Sequence, residues 1–234
     1  MKKRFIFDVD GTLTPSRQAM DPEFKVWFLD FMKREKVWLV TGSDYPKTVE
    51  QLGKDICENV VTCYSCSGNQ TRFLGKVVNA SSFDPDPSLT TLLEGWLQSS
   101  PFPLRTGNHI EKRVGTWNFS VVGRNADTDQ RAEYVEYDKL NRERESIAYQ
   151  INSEFKNITA TVGGDTGIDI YNTGSDKSQI LDDFNNGSDH IVFFGDKTEI
   201  GGNDYPLAKA IKHPGKTYQV DDWKHTWKIL KDLQ

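Results

Sequence analysis

The strongest constraint on the fold is a repeated pattern in which a short apolar run ends in a polar turn. Residues 4–9 form one such run, residues 36–40 a second and residues 190–194 a third. Amphipathic helices are predicted after the first two runs, over 21–35 and 45–54. This alternation is typical of a parallel α/β sheet, whose ligand site lies beyond the carboxyl ends of its strands.

The middle of the chain has a different pattern. A turn-rich segment at 81–88 predicts a linker, and the alternation at 113–121 favours a half-buried antiparallel strand. The elements predicted beyond the linker are a helix at 88–98, a strand-like run at 109–122, a charged helix at 128–155 and a strand pair at 158–171.

The α/β pattern returns after Gly174. A helix is predicted at 176–184, followed by the strand at 190–194 and a helix at 223–230. We therefore predict a doubly wound, Rossmann-like parallel-sheet core formed by 1–80 plus 173–234. An α+β domain is expected to be inserted in it at 81–172.

Charge and hydropathy limit the classes of partner that the chain can bind. The formal net charge of −5 argues against nucleic acid. No apolar stretch approaches the roughly 20 residues of a membrane span, and Asp8 interrupts the only candidate for a secretory segment. We expect a cytoplasmic protein that binds neither nucleic acid nor membranes. The Cys63-x-x-Cys66 pair could indicate a redox or zinc site, but without a second pair a structural role is predicted.

Acidic residues follow three of the predicted core strands. They are Asp8 with Asp10, Asp44, and Asp196 with Asp204. Carboxylates that converge at one edge of a sheet repel one another unless a cation lies among them, and oxygen ligands suit Mg²⁺. For Asp44, capping of the following helix is the preferred interpretation.

The string Asp8-Val-Asp-Gly-Thr-Leu-Thr14 resembles the first motif of the haloacid dehalogenase-type phosphotransferases. The resemblance implies that Asp8 is a nucleophile that accepts a phosphoryl group, and that Asp10 is a general acid and base. Further motifs follow in the family's order. They imply a phosphoryl-binding hydroxyl at Thr41 or, second, Ser43, a cation at Lys177, and Mg²⁺ ligands at Asp8, Asp10, Asp196 and Asp204.

Longer strings resemble the eukaryotic-type phosphomannomutases. Gly195-Asp-Lys-Thr198 precedes Gly201-Gly-Asn-Asp204, and residues 111–124 follow the pattern Glu-x-Arg-x-Gly-x-x-Asn-x-Ser-x-x-Gly-Arg. In that family the inserted domain is a cap whose arginines hold the non-reacting phosphate, a task that suits the planar guanidinium. The substrate-binding residues implied here are Arg17, Arg113, Arg124, Arg131 and Asp169.

The chain departs from the family pattern at three places. Gly167 stands where the family has a serine two residues before the aspartate aligned with Asp169. The segment Ser67-Gly68-Asn69 stands in place of Glu-Asn-Gly. No acidic residue follows Asp204 in the loop where the family binds a second cation. These departures lie in segments that select the substrate, so they leave the implied aspartyl-phosphate chemistry intact.

The leading hypothesis is therefore a phosphomannomutase that converts mannose 6-phosphate to mannose 1-phosphate and could also accept glucose phosphates. The reaction would pass through an aspartyl-phosphate, with Mg²⁺ as cofactor and a hexose 1,6-bisphosphate as activator. A sugar-phosphate phosphatase of the same superfamily is the alternative, and a non-catalytic sugar-phosphate binder is a distant one. Resemblance also implies a homodimer formed through the cap.

Overall fold

The computed structural model describes residues 3–233, which form two compact units. One unit joins the chain up to Ser81 with the chain from Ser175 onward, and the other is Ser82–Gly174. Among the described residues, no helix combines the length and the apolar character that a membrane crossing requires.

The first unit contains a seven-stranded sheet. Its strands are β1 (Lys3–Phe7), β2 (Lys36–Val40), β3 (Thr62–Ser65), β4 (Gln70–Phe73), β5 (Lys76–Ala80), β10 (His190–Gly195) and β11 (Lys216–Gln219). Their order is β11-β10-β1-β2-β3-β4-β5. The five strands from β11 to β3 are parallel, as predicted, whereas β4 and β5 add an antiparallel hairpin that the sequence did not predict.

Helices and two 3₁₀ segments complete this unit. They are α1 (Pro22–Arg34), α2 (Tyr45–Leu52), α3 (Lys54–Cys57), α7 (Tyr205–Ala210), α8 (Trp223–Asp232) and the 3₁₀ segments Cys66–Gly68 and Lys177–Asp183. The helix predicted at 176–184 is thus a 3₁₀ helix. Asp21 caps α1 by accepting from the amides of Glu23 and Phe24, both at 3.0 Å.

Both faces of the parallel sheet are buried, which explains its continuous apolar strands. Phe5 and Phe7 of β1 pack in one core with Phe28 of α1, whereas Ile6 lies in a second core with Trp38 of β2. Burial of each such side chain stabilises the fold by roughly 1.5–3 kcal/mol. Packing on both faces therefore fixes each strand along its whole length, including its last residue.

The second unit has a four-stranded antiparallel sheet of order β6-β7-β9-β8, together with three helices. The strands are β6 (Ile110–Arg113), β7 (Thr116–Phe119), β8 (Ile158–Gly163) and β9 (Gly167–Asn172). The helices are α4 (Pro87–Ser99), α5 (Thr128–Asn141) and α6 (Glu143–Glu154).

Two predictions for this unit were wrong in detail. The run at 109–122 is a hairpin rather than one strand, since Gly115 adopts a positive φ of 65° between β6 and β7. The helix predicted at 128–155 is two helices, because Arg142 lies in the left-handed region with a φ of 50° and ends α5.

Candidate active site

Asp8 and Lys177 form the centre of the site. Asp8 follows β1 directly, and its amide donates to the carbonyl of Phe194 at 2.9 Å, which fixes the backbone against β10. The residue is 2% exposed, and its carboxylate accepts a hydrogen bond from Lys177 Nζ at 2.6 Å. Lys177 is fully buried and also donates to Asp204 Oδ1 at 2.7 Å. One ammonium group therefore bridges two carboxylates.

The electrostatics of this pair are set by burial. Burial raises the pKa of Asp8 well above its usual value, against the pull of Lys177, and the charges of Asp204 and Asp196 raise it further. Burial alone would lower the pKa of Lys177, but Asp204 and Asp8 outweigh it and raise that pKa, so the ammonium stays charged. The site thus contains a permanent positive charge beside a carboxylate that lacks full charge compensation.

Three carboxylates converge on this point. Oxygens of Asp8, Asp196 and Asp204 lie within 4.8 Å of one another. Burial, and then the charge of Asp204, raises the pKa of Asp196 to about 6. Against the single charge of Lys177, three ionised carboxylates leave a formal charge of −2, which a divalent cation would neutralise. The donor set of hard oxygens therefore fits Mg²⁺.

Two further acidic residues of the strand ends, Asp44 and Asp10, lie outside this group. The Asp44 carboxylate accepts from the amide of Lys47 at 3.0 Å and caps α2, which was the preferred interpretation for this residue. The Asp10 side chain is not part of the three-carboxylate group, although it was predicted as a ligand. Its oxygens are held by other donors: the amide of Arg17 at 2.6 Å, Gln51 Nε2 at 2.9 Å and Ser43 Oγ at 3.2 Å.

Gly11 allows the first and last motifs to approach each other. Its φ is +78°, and a Cβ placed on it would lie 2.4 Å from Asp196 Oδ2. Only glycine accommodates both the backbone conformation and this contact. The Asp-x-Asp-Gly turn and the carboxylate after β10 are therefore packed directly against each other.

The predicted hydroxyls lie at the end of β2. Thr41 is 1% exposed, and its Oγ1 accepts from the amide of Ser43 at 3.0 Å. The Ser43 hydroxyl donates to Asp10, so its proton is directed to that carboxylate. In these contacts the Thr41 hydroxyl accepts a hydrogen bond but does not donate to a carboxylate. This agrees with Thr41 as the first choice for binding the phosphoryl group.

The arginines predicted to bind substrate fall in both units. The main-chain amide of Arg17 donates a hydrogen bond to the Asp10 carboxylate. In the second unit, Arg113 and Arg124 both pair with Glu111, the latter at 3.1 Å. Arg131 pairs with Asp165 at 3.6 Å, yet its two terminal nitrogens are buried and form no hydrogen bond among the described residues. A buried guanidinium of this kind calls for an anionic ligand.

Asp169 lies on β9 and accepts from Asn118 Nδ2 at 2.7 Å. A Cβ on Gly167 would lie 2.6 Å from that same nitrogen, so the Asn118 side chain occupies the space that a serine would need. The departure from the family pattern at Gly167 is thus matched by the packing of Asn118.

The cysteines take no part in the site. Cys57, Cys63 and Cys66 are buried free thiols. Burial raises the pKa of Cys63 to about 11, so this thiol is unreactive at neutral pH. This agrees with a structural role for the Cys63-x-x-Cys66 pair.

Sequence reasoning missed Gln51, which contacts Asp10. The residue lies on α2, whose buried positions are Thr48, Gln51 and Leu52. A long polar side chain on the apolar face of a predicted helix was the available signal, since such residues are rarely buried without a partner.

The parallel sheet with Asp8 and Asp196 at its strand ends, and with Lys177 at the start of a 3₁₀ helix, defines a protein of the haloacid dehalogenase fold. A haloacid dehalogenase-like hydrolase from Bacteroides thetaiotaomicron shares this fold, with a TM-score of 0.61 over 100% of both chains at 12% identity. Within this fold, the sequence model of eukaryotic phosphomannomutases matches residues 25–234. The chain belongs to the eukaryotic phosphomannomutase family.

Individual relatives agree with this assignment. The phosphomannomutase of Saccharomyces cerevisiae is 33% identical over 237 residues, which cover 97% of this chain and 92% of the yeast protein. The phosphomannomutase of Arabidopsis thaliana is 33% identical over 228 residues, which cover 93% of this chain and 91% of the plant protein. Similarity therefore extends through both units.

Proposed function

We propose that this protein interconverts mannose 6-phosphate and mannose 1-phosphate through a phosphoryl group carried on Asp8. The observation that carries the proposal is the fully buried bridge from Lys177 to Asp8 and Asp204, at 2.6 and 2.7 Å. A buried carboxylate with an ammonium beside it can approach a phosphate dianion with less repulsion. The family's name supplies the substrate class.

Each residue of the site has a role in this reaction. Asp8 attacks phosphorus, Lys177 holds the phosphoryl oxygens beside it, and the Thr41 hydroxyl donates to the same group. Asp10 gives a proton to the leaving sugar oxygen and removes one from the attacking hydroxyl. Asp8, Asp196 and Asp204 would hold Mg²⁺, which supplies charge neutralisation to the phosphoryl group.

The second unit supports a mutase over a phosphatase. A mutase has to bind a phosphate that is not being transferred, and Arg131 suits this task because its terminal nitrogens form no hydrogen bond among the described residues. Arg113 and Arg124, which share Glu111, and Arg17 are proposed to bind the substrate with it, and Asp169 to bind a sugar hydroxyl. Simple hydrolysis requires no second phosphate site.

The test is turnover of mannose 1-phosphate with Mg²⁺, followed by ³¹P NMR with and without a hexose 1,6-bisphosphate. We expect mannose 6-phosphate to form and the bisphosphate to accelerate the reaction. Release of inorganic phosphate without activation would identify a phosphatase instead. Asp8→Asn, which keeps the shape but removes the nucleophile, should abolish either reaction. Unchanged activity of that variant would point to a non-catalytic binder or a contaminant.

The proposal extends to the assembly and the location of the protein. A homodimer formed through the second unit, which the family resemblance implies, is part of this proposal. Sedimentation would test the dimer, since a monomer at micromolar concentration contradicts it. A cytoplasmic location is part of the same proposal and is checked by cell fractionation.

A further inference from the structure

Gln51, which belongs to none of the sequence motifs, contacts Asp10, the proposed proton-transfer residue. Its side chain is 3% exposed and reaches from α2 to the turn after β1. Gln51 Nε2 lies 2.9 Å from Asp10 Oδ1 and 3.1 Å from Thr14 Oγ1. Both N–H bonds of the amide therefore have an acceptor.

The orientation of this amide follows from its neighbours. The Thr14 hydroxyl lies 3.4 Å from the carbonyl of Val9, which can only accept, so the hydroxyl donates there. Thr14 Oγ1 must then accept from Gln51, and Asp10 Oδ1 accepts from the same amide nitrogen. The opposite orientation of the amide would place oxygen against oxygen at Asp10.

The two oxygens of Asp10 are consequently unequal. Oδ1 accepts from the Arg17 amide at 2.6 Å and from Gln51 at 2.9 Å, both donors being held by the backbone or by burial. Oδ2 accepts only the longer contact of 3.2 Å from the rotatable Ser43 hydroxyl, among the hydrogen bonds of the described residues. A carboxylate oxygen offers about two lone-pair sites, so the two donors fill Oδ1 whereas Oδ2 keeps a site that can take a proton from a sugar hydroxyl.

We infer that Gln51 is a positioning residue that fixes Asp10 through Oδ1, and that Oδ2 is the oxygen that exchanges protons with the sugar. This inference rests on the proposed function. In the transfer step, the bond from Asp8 to phosphorus breaks and a bond from phosphorus to the sugar oxygen forms. The hydroxyl proton moves to Asp10 Oδ2. The reverse step returns that proton to the leaving sugar oxygen.

The experiment compares two half-reactions of the full-length protein with Mg²⁺. Acetyl phosphate phosphorylates Asp8 without help from an acid, because acetate leaves unprotonated. Transfer from Asp8 to mannose 6-phosphate requires removal of a hydroxyl proton. In Gln51→Met, phosphorylation by acetyl phosphate should stay within about twofold of wild type, whereas transfer should slow roughly 10–100-fold, a part of the usual contribution of acid–base catalysis. The KM for mannose 6-phosphate should not change.

Controls separate the possible causes. Gln98→Met makes the same replacement at an exposed position of α4 and should leave both half-reactions unchanged. Gln51→Glu keeps the size of the side chain and should also lose transfer selectively, so it serves if the methionine variant folds poorly by circular dichroism. Equal losses in both half-reactions, or unchanged transfer, would overturn the inference. Failure of the wild-type protein to form a phosphoenzyme on Asp8 would instead contradict the proposed function.

Discussion

At the scale of single residues, Lys177 has the largest energetic role in the site. Its Nζ forms ion pairs with both Asp8 and Asp204, and its side chain has no exposed surface. Removing one partner from a buried ion pair is costly, because the remaining charges lose their compensation. The same change at the surface costs little.

This contrast gives a prediction for stability and activity together. Lys177→Met should lower the free energy of unfolding by roughly 3–5 kcal/mol in the presence of a chelator, and should abolish phosphoenzyme formation. Lys25→Met, which removes the partly exposed pair of Lys25 with Asp55 at 2.8 Å, should cost about 1 kcal/mol or less. Urea denaturation measures both. Equal losses in the two variants would contradict the assigned role of Lys177.

A second prediction at this scale concerns Gly11. Gly11→Ala adds a Cβ that meets Asp196 and forces a side chain into a φ of +78°. Gly201→Ala imposes comparable backbone strain at a φ of +91°, but nothing lies within 4 Å of the added Cβ. Both should lose about 1–2 kcal/mol of stability, and only Gly11→Ala should also weaken stabilisation by Mg²⁺. Thermal melts with and without Mg²⁺ make the comparison.

The sequence predicted the motif residues, but it did not predict every contact that these residues make. Asp8, Lys177 and Asp196 were assigned because each belongs to a string at a strand end or helix start. The contact of Gln51 with Asp10 joins α2 to the first turn across 41 positions. Such a contact depends on how the helix packs on the sheet, which side-chain periodicity alone does not specify.

At the scale of elements, the failures share a cause in backbone conformation. The charged segment at 128–155 was predicted to be one helix. The chain turns at Arg142 in the left-handed region, a conformation that is uncommon for a residue with a Cβ and that no pattern of side chains announces. The hairpin within 109–122 was missed although its turn lies at a glycine, Gly115, the residue type that most readily adopts a positive φ.

The break at Arg142 can be tested by relieving its conformation. Arg142→Gly should raise the melting temperature by about 2 °C, because glycine adopts a positive φ without steric cost. The ion pair of Arg142 with Glu145 that this change removes lies at the surface. If the segment were one continuous helix, glycine would lower the melting temperature instead. Calorimetry of the variant decides between the two signs, with Arg34→Gly near the end of α1 as a helical comparison.

At the scale of the whole molecule, the sheet order explains why residues distant in the sequence meet. β10, β1 and β2 are parallel neighbours, so Asp196, Asp8 and Thr41 all follow strands at the same edge. The parallel order could be predicted from apolar runs separated by helices. The hairpin of β4 and β5 could not, because its exposed strands carry no strong apolar alternation.

Metal binding should therefore appear as a property of the folded molecule. Three converging carboxylates against one ammonium favour a divalent cation, so Mg²⁺ at pH 7.5 should raise the melting temperature by roughly 5–10 °C at a hundred times Kd. Sodium chloride at equal ionic strength should not. Asp196→Asn should remove most of the effect, whereas Asp44→Ala, at the cap of α2, should preserve it. An equal response to Mg²⁺ in these two variants would contradict the assignment of ligands.

The response to Mg²⁺ should also depend on pH, with a sign that follows from Asp196. Its pKa is raised from 3.8 to about 6, so the native state without metal holds the proton more tightly than the unfolded chain does. Stability without metal should then fall as the pH rises through this interval. Mg²⁺ competes with that proton, so its stabilising effect should be small at pH 5 and full above pH 7. Melting curves in chelator and in Mg²⁺ across this range would show the two trends diverging, and parallel curves would exclude Asp196 as a ligand.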